Sequence, residues 1–214
     1  MALLDYQPPA SDLLPLRLLK RAWSLAQVIP ALARFMVTCR HALAQERIVS
    51  FFRAVRTSGA PSSSGGTIPK VGAVGFCWGG FYAVELAADE EGSRVMIERD
   101  GGETEEVSLI DCAFTAHPSL LRIPRDIERV VKPLSVANGD DDEFMGRKAM
   151  VGLREVLEGK NEVAGREVHE VVVYPGAKHG FGVRRDWNDE VQREGRERSE
   201  DQAVGWMRRH FQVE

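Results

Sequence analysis

The segment Gly75-Phe76-Cys77-Trp78-Gly79 contains the residues whose types and spacing most clearly indicate chemistry. It has the G-x-C-x-G form of a nucleophile elbow, a sharp turn between a strand and a helix that holds the nucleophile clear of the backbone. We expect both glycines to be required, because side chains two residues before and two residues after the nucleophile would collide with neighbouring backbone. The alternative interpretation is a small buried cysteine in a turn that contains glycines.

A cysteine at this position differs chemically from an ordinary thiol. The positive end of the following helix lowers the pKa of the thiol and favours the thiolate, which is the reactive form. The main-chain N–H of Trp78 is expected to be one donor of an oxyanion hole, which stabilises negative charge on a carbonyl oxygen under attack. The pattern therefore predicts covalent catalysis by Cys77.

A thiol nucleophile needs a base, and His179 is the best candidate among the five histidines. It lies in a glycine-containing loop just beyond the last predicted strand, where parallel sheets carry catalytic groups. His117, just after an earlier predicted strand, is its one serious competitor. The other three histidines lie in predicted helices or inside a predicted strand: His41, His169 and His210.

The acid that orients the histidine is predicted after the next-to-last strand, where three carboxylates follow one another. These are Asp140, Asp141 and Asp142. The residue types alone leave all three open, because an acidic turn is also a common way to begin a helix. Their position gives the chain order nucleophile, acid, histidine.

Bringing these groups together requires a parallel sheet with helices on both faces. Four short apolar segments have the pattern of buried parallel strands: 70–76, 113–116, 133–137 and 168–174. Helices are predicted between them at 79–88 and 143–158, the second ending at Gly159. The arginines of 193–209 are interleaved with acidic residues, which is typical of a solvated helix face.

The first 57 residues are predicted to be helical. Dense Leu, Ala and Arg indicate helices over 13–29 and 31–43, separated at Pro30 because proline removes a helix hydrogen bond. A third helix has an apolar face that we expect to pack on a sheet: Ile48, Phe51, Phe52 and Val55. Residues 58–66 are rich in Ser and Gly and are predicted to be a flexible loop. Residues 67–214 are predicted to form the catalytic core, and the length favours one domain over 1–214.

Composition excludes several classes of protein. A formal net charge of -4 provides no basic field for nucleic acid. Three cysteines without CxxC spacing indicate neither a disulfide framework nor a zinc site. Pro30 and Arg34 interrupt the apolar run 22–37, so we predict no membrane span, and the first residues do not have the pattern of a signal peptide. A cytoplasmic location fits these features best.

Four segments together resemble the dienelactone hydrolase family of the α/β-hydrolase superfamily, in particular its fungal members. The segments are Gly75-Phe76-Cys77-Trp78-Gly79-Gly80, Ala116-His117-Pro118-Ser119, Gly139-Asp140-Asp141-Asp142 and Tyr174-Pro175-Gly176-Ala177-Lys178-His179-Gly180-Phe181. The resemblance is good from residue 70 to the C-terminus and looser over the helical first third.

This resemblance implies an α/β-hydrolase-like three-layer sandwich with a mostly parallel sheet. It also implies a Cys-Asp-His triad made of Cys77, Asp142 and His179. The implied reaction is hydrolysis of a small-molecule lactone or ester through a thioester acyl-enzyme, without a metal or organic cofactor. Weaker candidates for substrate contacts are His117, Phe181 and Arg184, although an exposed surface arginine is the more common explanation of the last.

Two features depart from the family pattern. Family members ordinarily have strands before the elbow, which supply a neighbouring strand, the second oxyanion donor, and a glutamate and an arginine near the thiol. Here only helices and a loop precede Cys77, so we expect an uncovered sheet edge, which invites self-association. The second feature is a predicted β-hairpin, with strands 94–97 and 105–109 on either side of Asp100-Gly101-Gly102.

Two other functions are compatible with the same residues. One is a truncated, catalytically silent relative that acts as a binding or assembly module through the uncovered sheet edge. The other is a biosynthetic thioesterase or acyltransferase, which would share the triad and differ only in its pocket.

Overall fold

Four parallel strands form the central sheet of the structure, a computed structural model that describes residues 14–58, 70–98, 103–183 and 188–212. In chain order the strands are β1 (Gly72–Phe76), β2 (Arg94–Glu98), β3 (Thr104–Ser108), β4 (Cys112–Ala116), β5 (Leu134–Asp141) and β6 (Glu170–Lys178). The helices are α1 (Leu14–Thr38), α2 (His41–Thr57), α3 (Trp78–Ala87), α4 (Arg125–Glu128), α5 (Arg147–Ala164) and α6 (Glu190–Phe211). The chain divides into two compact units, Met1–Ile48 and Val49–Glu214.

The sheet has the order β1-β4-β5-β6, and every pairing in it is parallel. Strand β1, which leads into the elbow, therefore lies at one edge of the sheet in the described part of the chain. Strands β2 and β3 form a separate antiparallel pair in which Arg94 lies opposite Ser108. The predicted parallel sheet, reduced on its N-terminal side, and the predicted hairpin are confirmed. The turn of the hairpin lies outside the described residues, as do most of the predicted loop 58–66 and Arg184.

Helices cover both faces of the sheet. Helix α6 packs on one face, where Trp206 joins a buried cluster of residues from the sheet and the loop after β6: Cys112, Phe114, Ala116, Ala137, Tyr174, Ala177 and Phe181. Helices α3 and α5 pack on the sheet from the other face, and α5 buries Met150, Leu153 and Leu157. Among the helices that the structure describes, none combines the length and the continuous apolar character of a membrane span.

Two predicted helix ends are wrong. Helix α1 continues through Pro30 and ends at Thr38, and α2 begins at His41. A proline removes one hydrogen bond, whereas the neighbouring turns keep theirs and the helix continues. Helix α5 likewise passes through Gly159 and ends at Gly165, whose φ of 64° provides the left-handed C-cap.

The predicted apolar face of the third helix, now the second half of α2, is also wrong in part, because Phe51 is 62% exposed and Val55 is 38% exposed. The buried side chain at this end of α2 is a charged one. The Arg56 guanidinium donates to the Asp111 carboxylate over 2.8 Å and to the carbonyl oxygen of Ser108 over 2.9 Å. Asp111 also accepts the main-chain N–H of Val71, so these polar groups connect α2 to the start of β1 and β4.

We expect Arg56→Met to lower the free energy of unfolding by about 2–3 kcal/mol, because it leaves a partly buried carboxylate without its guanidinium. Arg53→Met is the matched control on the same helix, since the Arg53 side chain makes an exposed hydrogen bond to Gly92. That variant should change the free energy by less than about 0.5 kcal/mol. Urea unfolding measures both, and equal effects would contradict the anchoring role of Arg56.

Candidate active site

Cys77 occupies a strained turn between β1 and α3. Its φ of 51° and ψ of -117° lie in a region that residues with a side chain rarely adopt. The turn is held by the Cys77 carbonyl oxygen, which accepts the main-chain N–H of Gly80 over 3.0 Å and of Ser119 over 3.1 Å. The elbow conformation therefore depends on the chain that leaves β4 as well as on α3.

The glycines of the elbow do not contribute equally. A Cβ atom on Gly75 would overlap the main-chain carbonyl group of Gly79, so the first glycine is required as predicted. A Cβ atom on Gly79 itself would meet nothing within 4 Å. The prediction that position 79 has no room for a side chain is therefore wrong. The crowded position is Gly80, whose Cβ atom would overlap the Thr115 hydroxyl and lie 2.9 Å from Pro118.

His179 lies directly beside the thiol. Its Nε2 atom is 3.1 Å from the Cys77 sulfur, and its side chain is almost fully buried. Two residues fix the chain just before it. Asp140 accepts the main-chain N–H of Gly176, and Gln192 of α6 bonds to the main chain of both Gly176 and Lys178.

Of the three adjacent carboxylates, Asp142 is the one that contacts the histidine. Both of its carboxylate oxygens lie 3.1 Å from Nδ1 of His179. The same carboxylate accepts the main-chain N–H groups of Phe144 and Met145. Asp140 is used to hold Gly176, and Asp141 is exposed.

The site electrostatics favour charge separation. Burial raises the pKa of the Cys77 thiol, whereas the hydrogen bond and charge of His179 lower it. Two weaker donors act in the same direction as His179, namely the Ser119 hydroxyl and the Trp78 main-chain N–H. The net pKa of Cys77 lies below the usual value of a thiol.

The partners of the thiol shift in the complementary directions. Burial lowers the pKa of the His179 imidazole, but Asp142 and Cys77 outweigh burial and raise it. Burial raises the pKa of Asp142, but the hydrogen bonds that it accepts bring it below its usual range. These directions favour a proton on His179 and negative charge on the other two groups.

The buried thiol of Cys112 provides a contrast. Burial and the neighbouring charge of Asp111 raise the pKa of Cys112 to about 12, so this thiol has little thiolate character. Within the described residues, no group of three or more His, Cys, Asp and Glu side chains is arranged to hold a metal ion.

The weaker sequence candidates lie in the interior. His117 and Phe181 are buried, with ring centroids 5.5 Å apart, and His117 packs edge-on against His179 at 5.0 Å. His117 contacts the ring of His179, and Phe181 in turn contacts the ring of His117. Sequence reasoning did not single out Phe144, which is 64% exposed and has its ring 4.4 Å from that of His179. It follows the acidic run by two residues, and that position was its only signal.

Comparison with known proteins identifies the family of this chain. The sequence model of the dienelactone hydrolase family matches residues 31–211. The chain belongs to the dienelactone hydrolase family. The match includes the elbow, the acidic run and the histidine loop, and it extends into α1.

Among curated relatives of this dienelactone hydrolase family member, two fungal proteins are similar to it. Hydrolase pyvD of Aspergillus violaceofuscus is 26% identical over 144 residues, which are 66% of this chain and 48% of the relative. Hydrolase tropI of Talaromyces stipitatus is 29% identical over 142 residues, which are 66% of this chain and 46% of the relative. The chain thus spans about half the length of these relatives.

Solved structures include a dienelactone hydrolase-like promiscuous phosphotriesterase from metagenomic libraries. It is 19% identical to this chain with a TM-score of 0.45, and the alignment covers 67% of this chain and 54% of that one.

The two glycines after Trp78 provide a matched test of the elbow. We expect Gly80→Ala to lower the free energy of unfolding by about 1–3 kcal/mol, because the new methyl group overlaps the chain at Pro118. Gly79→Ala should leave stability unchanged or raise it by up to about 1 kcal/mol, since Ala is the better helix former. Urea unfolding of both variants measures this. A destabilising Gly79→Ala together with a neutral Gly80→Ala would contradict the described packing.

Proposed function

We propose that this chain hydrolyses a lactone or ester with Cys77 as nucleophile, His179 as base and acid, and Asp142 as the orienting carboxylate. The observation that supports this most strongly is the continuous line of contacts from the Cys77 sulfur through both ring nitrogens of His179 to Asp142. The names of the two fungal relatives, both hydrolases, support the same class of reaction.

In the first half of the reaction, the Cys77 thiolate attacks the carbonyl carbon and a C–S bond forms. The electrons of the carbonyl bond move to its oxygen, and the Trp78 main-chain N–H stabilises the resulting oxyanion. When this intermediate collapses, the C–O bond of the ester breaks, and His179 transfers the proton on Nε2 to the departing oxygen. The product is a thioester; in a lactone, the new hydroxyl group stays attached to it.

In the second half, water resolves the thioester. His179 now accepts a proton from the water as the oxygen attacks the thioester carbon. The C–S bond breaks, a carboxylic acid leaves, and the thiolate is regenerated. Asp142 holds the proton on Nδ1 throughout, so Nε2 is always the atom that faces the sulfur.

Substitution of the nucleophile and the acid tests this proposal. With p-nitrophenyl acetate and a dienelactone as substrates, we expect Cys77→Ala to lower kcat/KM by at least about 10³-fold and Asp142→Asn by roughly 10²–10⁴-fold. Asp141→Asn is the matched control, because Asp141 is the exposed neighbour of the buried acid. It should retain kcat/KM within about twofold of wild type. A Cys77→Ala variant that keeps the kcat/KM of wild type would contradict the proposal.

The edge of the sheet supports a second candidate function. In the described part of the chain β1 pairs only with β4, and Val74 on it is 50% exposed. An uncovered strand edge is a template for pairing with another chain. We therefore propose, as the second candidate, an assembly module that associates with its own copies through β1. A wild-type chain that lacks Cys77-dependent hydrolysis and sediments as a dimer would favour this function over the first.

A further inference from the structure

The Cys77 sulfur has a second polar neighbour on the side chain of Ser119. The Ser119 hydroxyl oxygen lies 3.8 Å from the sulfur, within reach of a hydrogen bond to a large, polarisable acceptor. Only 6% of Ser119 is exposed. Its hydroxyl therefore faces the nucleophile in a space with little access to water.

The backbone holds Ser119 in this place by contacts on both sides. Its main-chain N–H donates to the Cys77 carbonyl oxygen over 3.1 Å, so the residue is tied to the same turn that it faces. The preceding residue, Pro118, packs against Gly80 at a distance that a side chain on Gly80 would not permit. The hydroxyl is thus positioned by main-chain contacts with the elbow.

We propose that Ser119 is a further catalytic residue, whose hydroxyl donates a hydrogen bond to the Cys77 thiolate and stabilises it between turnovers. This inference rests on the proposed function, because it concerns the same nucleophile. The thiol proton goes to Nε2 of His179, and Ser119 keeps its own proton throughout. Ser119 thus supplies a hydrogen-bond donor to the thiolate in addition to the imidazolium. A hydrogen bond to the charged form of a group favours that form, here the thiolate.

The titratable groups around the thiolate are few among the described residues. His179 contacts the sulfur, Asp142 lies behind His179, and His117 packs against the imidazole. The direction of the Ser119 contribution is the same as that of His179: both lower the pKa of the thiol. Removal of the hydroxyl should therefore move the ionisation of Cys77 to higher pH.

Alkylation by iodoacetamide measures this ionisation, because only the thiolate reacts. The rate at Cys77 is followed by peptide mass spectrometry from pH 5 to pH 10, which separates it from Cys39 and Cys112. For Ser119→Ala we expect alkylation roughly three- to tenfold slower than wild type near pH 6. Above the pKa of both thiols the two rates should converge, since each thiol is then fully ionised.

Two variants separate the hydroxyl contact from a change in packing. Ser119→Thr keeps the donor and should retain the wild-type pH curve even where the added methyl group lowers stability. Thr115→Val removes a buried hydroxyl from the end of β4 that has no hydrogen-bond partner among the described residues. It should leave the curve unchanged. The proposal is overturned by a Ser119→Ala curve that coincides with wild type, or by an equal shift in Thr115→Val.

The two levels of the proposal fail in different ways. Ester hydrolysis by wild type and Cys77→Ala, measured in parallel, tests the proposed function. The pH curves of Ser119→Ala and Ser119→Thr test the thiolate contact, whether or not a chosen ester is a substrate. A slower rate at every pH in Ser119→Ala, without a change in the shape of the curve, would indicate a structural role and overturn the catalytic one.

Discussion

The carbonyl oxygen of Cys77 accepts two main-chain N–H groups, and the arrangement of the site depends on this contact. The donors come from different elements: Gly80 belongs to α3, whereas Ser119 follows β4. They keep Cys77 at a positive φ that an unsupported residue with a side chain would leave. Because the carbonyl group is fixed, the sulfur is directed toward His179 on one side and the Ser119 hydroxyl on the other.

Specific contacts also distinguish the three carboxylates at the end of β5, namely Asp140, Asp141 and Asp142. Three adjacent carboxylates have three different environments, and only the buried one lies against the histidine. Asp140 contributes indirectly, because it holds the turn at Gly176 that precedes the histidine. Asp142 and His179 are therefore positioned by the pairing of β5 and β6, which brings the carboxyl ends of these strands together.

Sequence patterns predicted the sheet, its helices and the hairpin because burial and glycine spacing are local signals. They named Cys77 and His179 from motif and position, and the structure brings these side chains together. The choice of Asp142 came from the family resemblance, since charge alone does not distinguish neighbouring carboxylates. The steric need for Gly80 and the contact of Ser119 with Cys77 were missed because both depend on segments about 40 residues apart in the chain. The predicted helix ends at Pro30 and Gly159 were wrong because a helix with regular turns on both sides continues through one residue of low helix propensity.

In the proposed mechanism the sulfur of Cys77 carries the acyl group, so capture of this thioester is the decisive experiment. Wild-type protein is mixed with a p-nitrophenyl ester, quenched in acid within the first turnover, and digested for peptide mass spectrometry. We expect the added acyl mass on the peptide that contains Cys77, and its release by neutral hydroxylamine. Turnover with the acyl group on another residue, or with no acylated peptide at any quench time, would contradict the thioester mechanism.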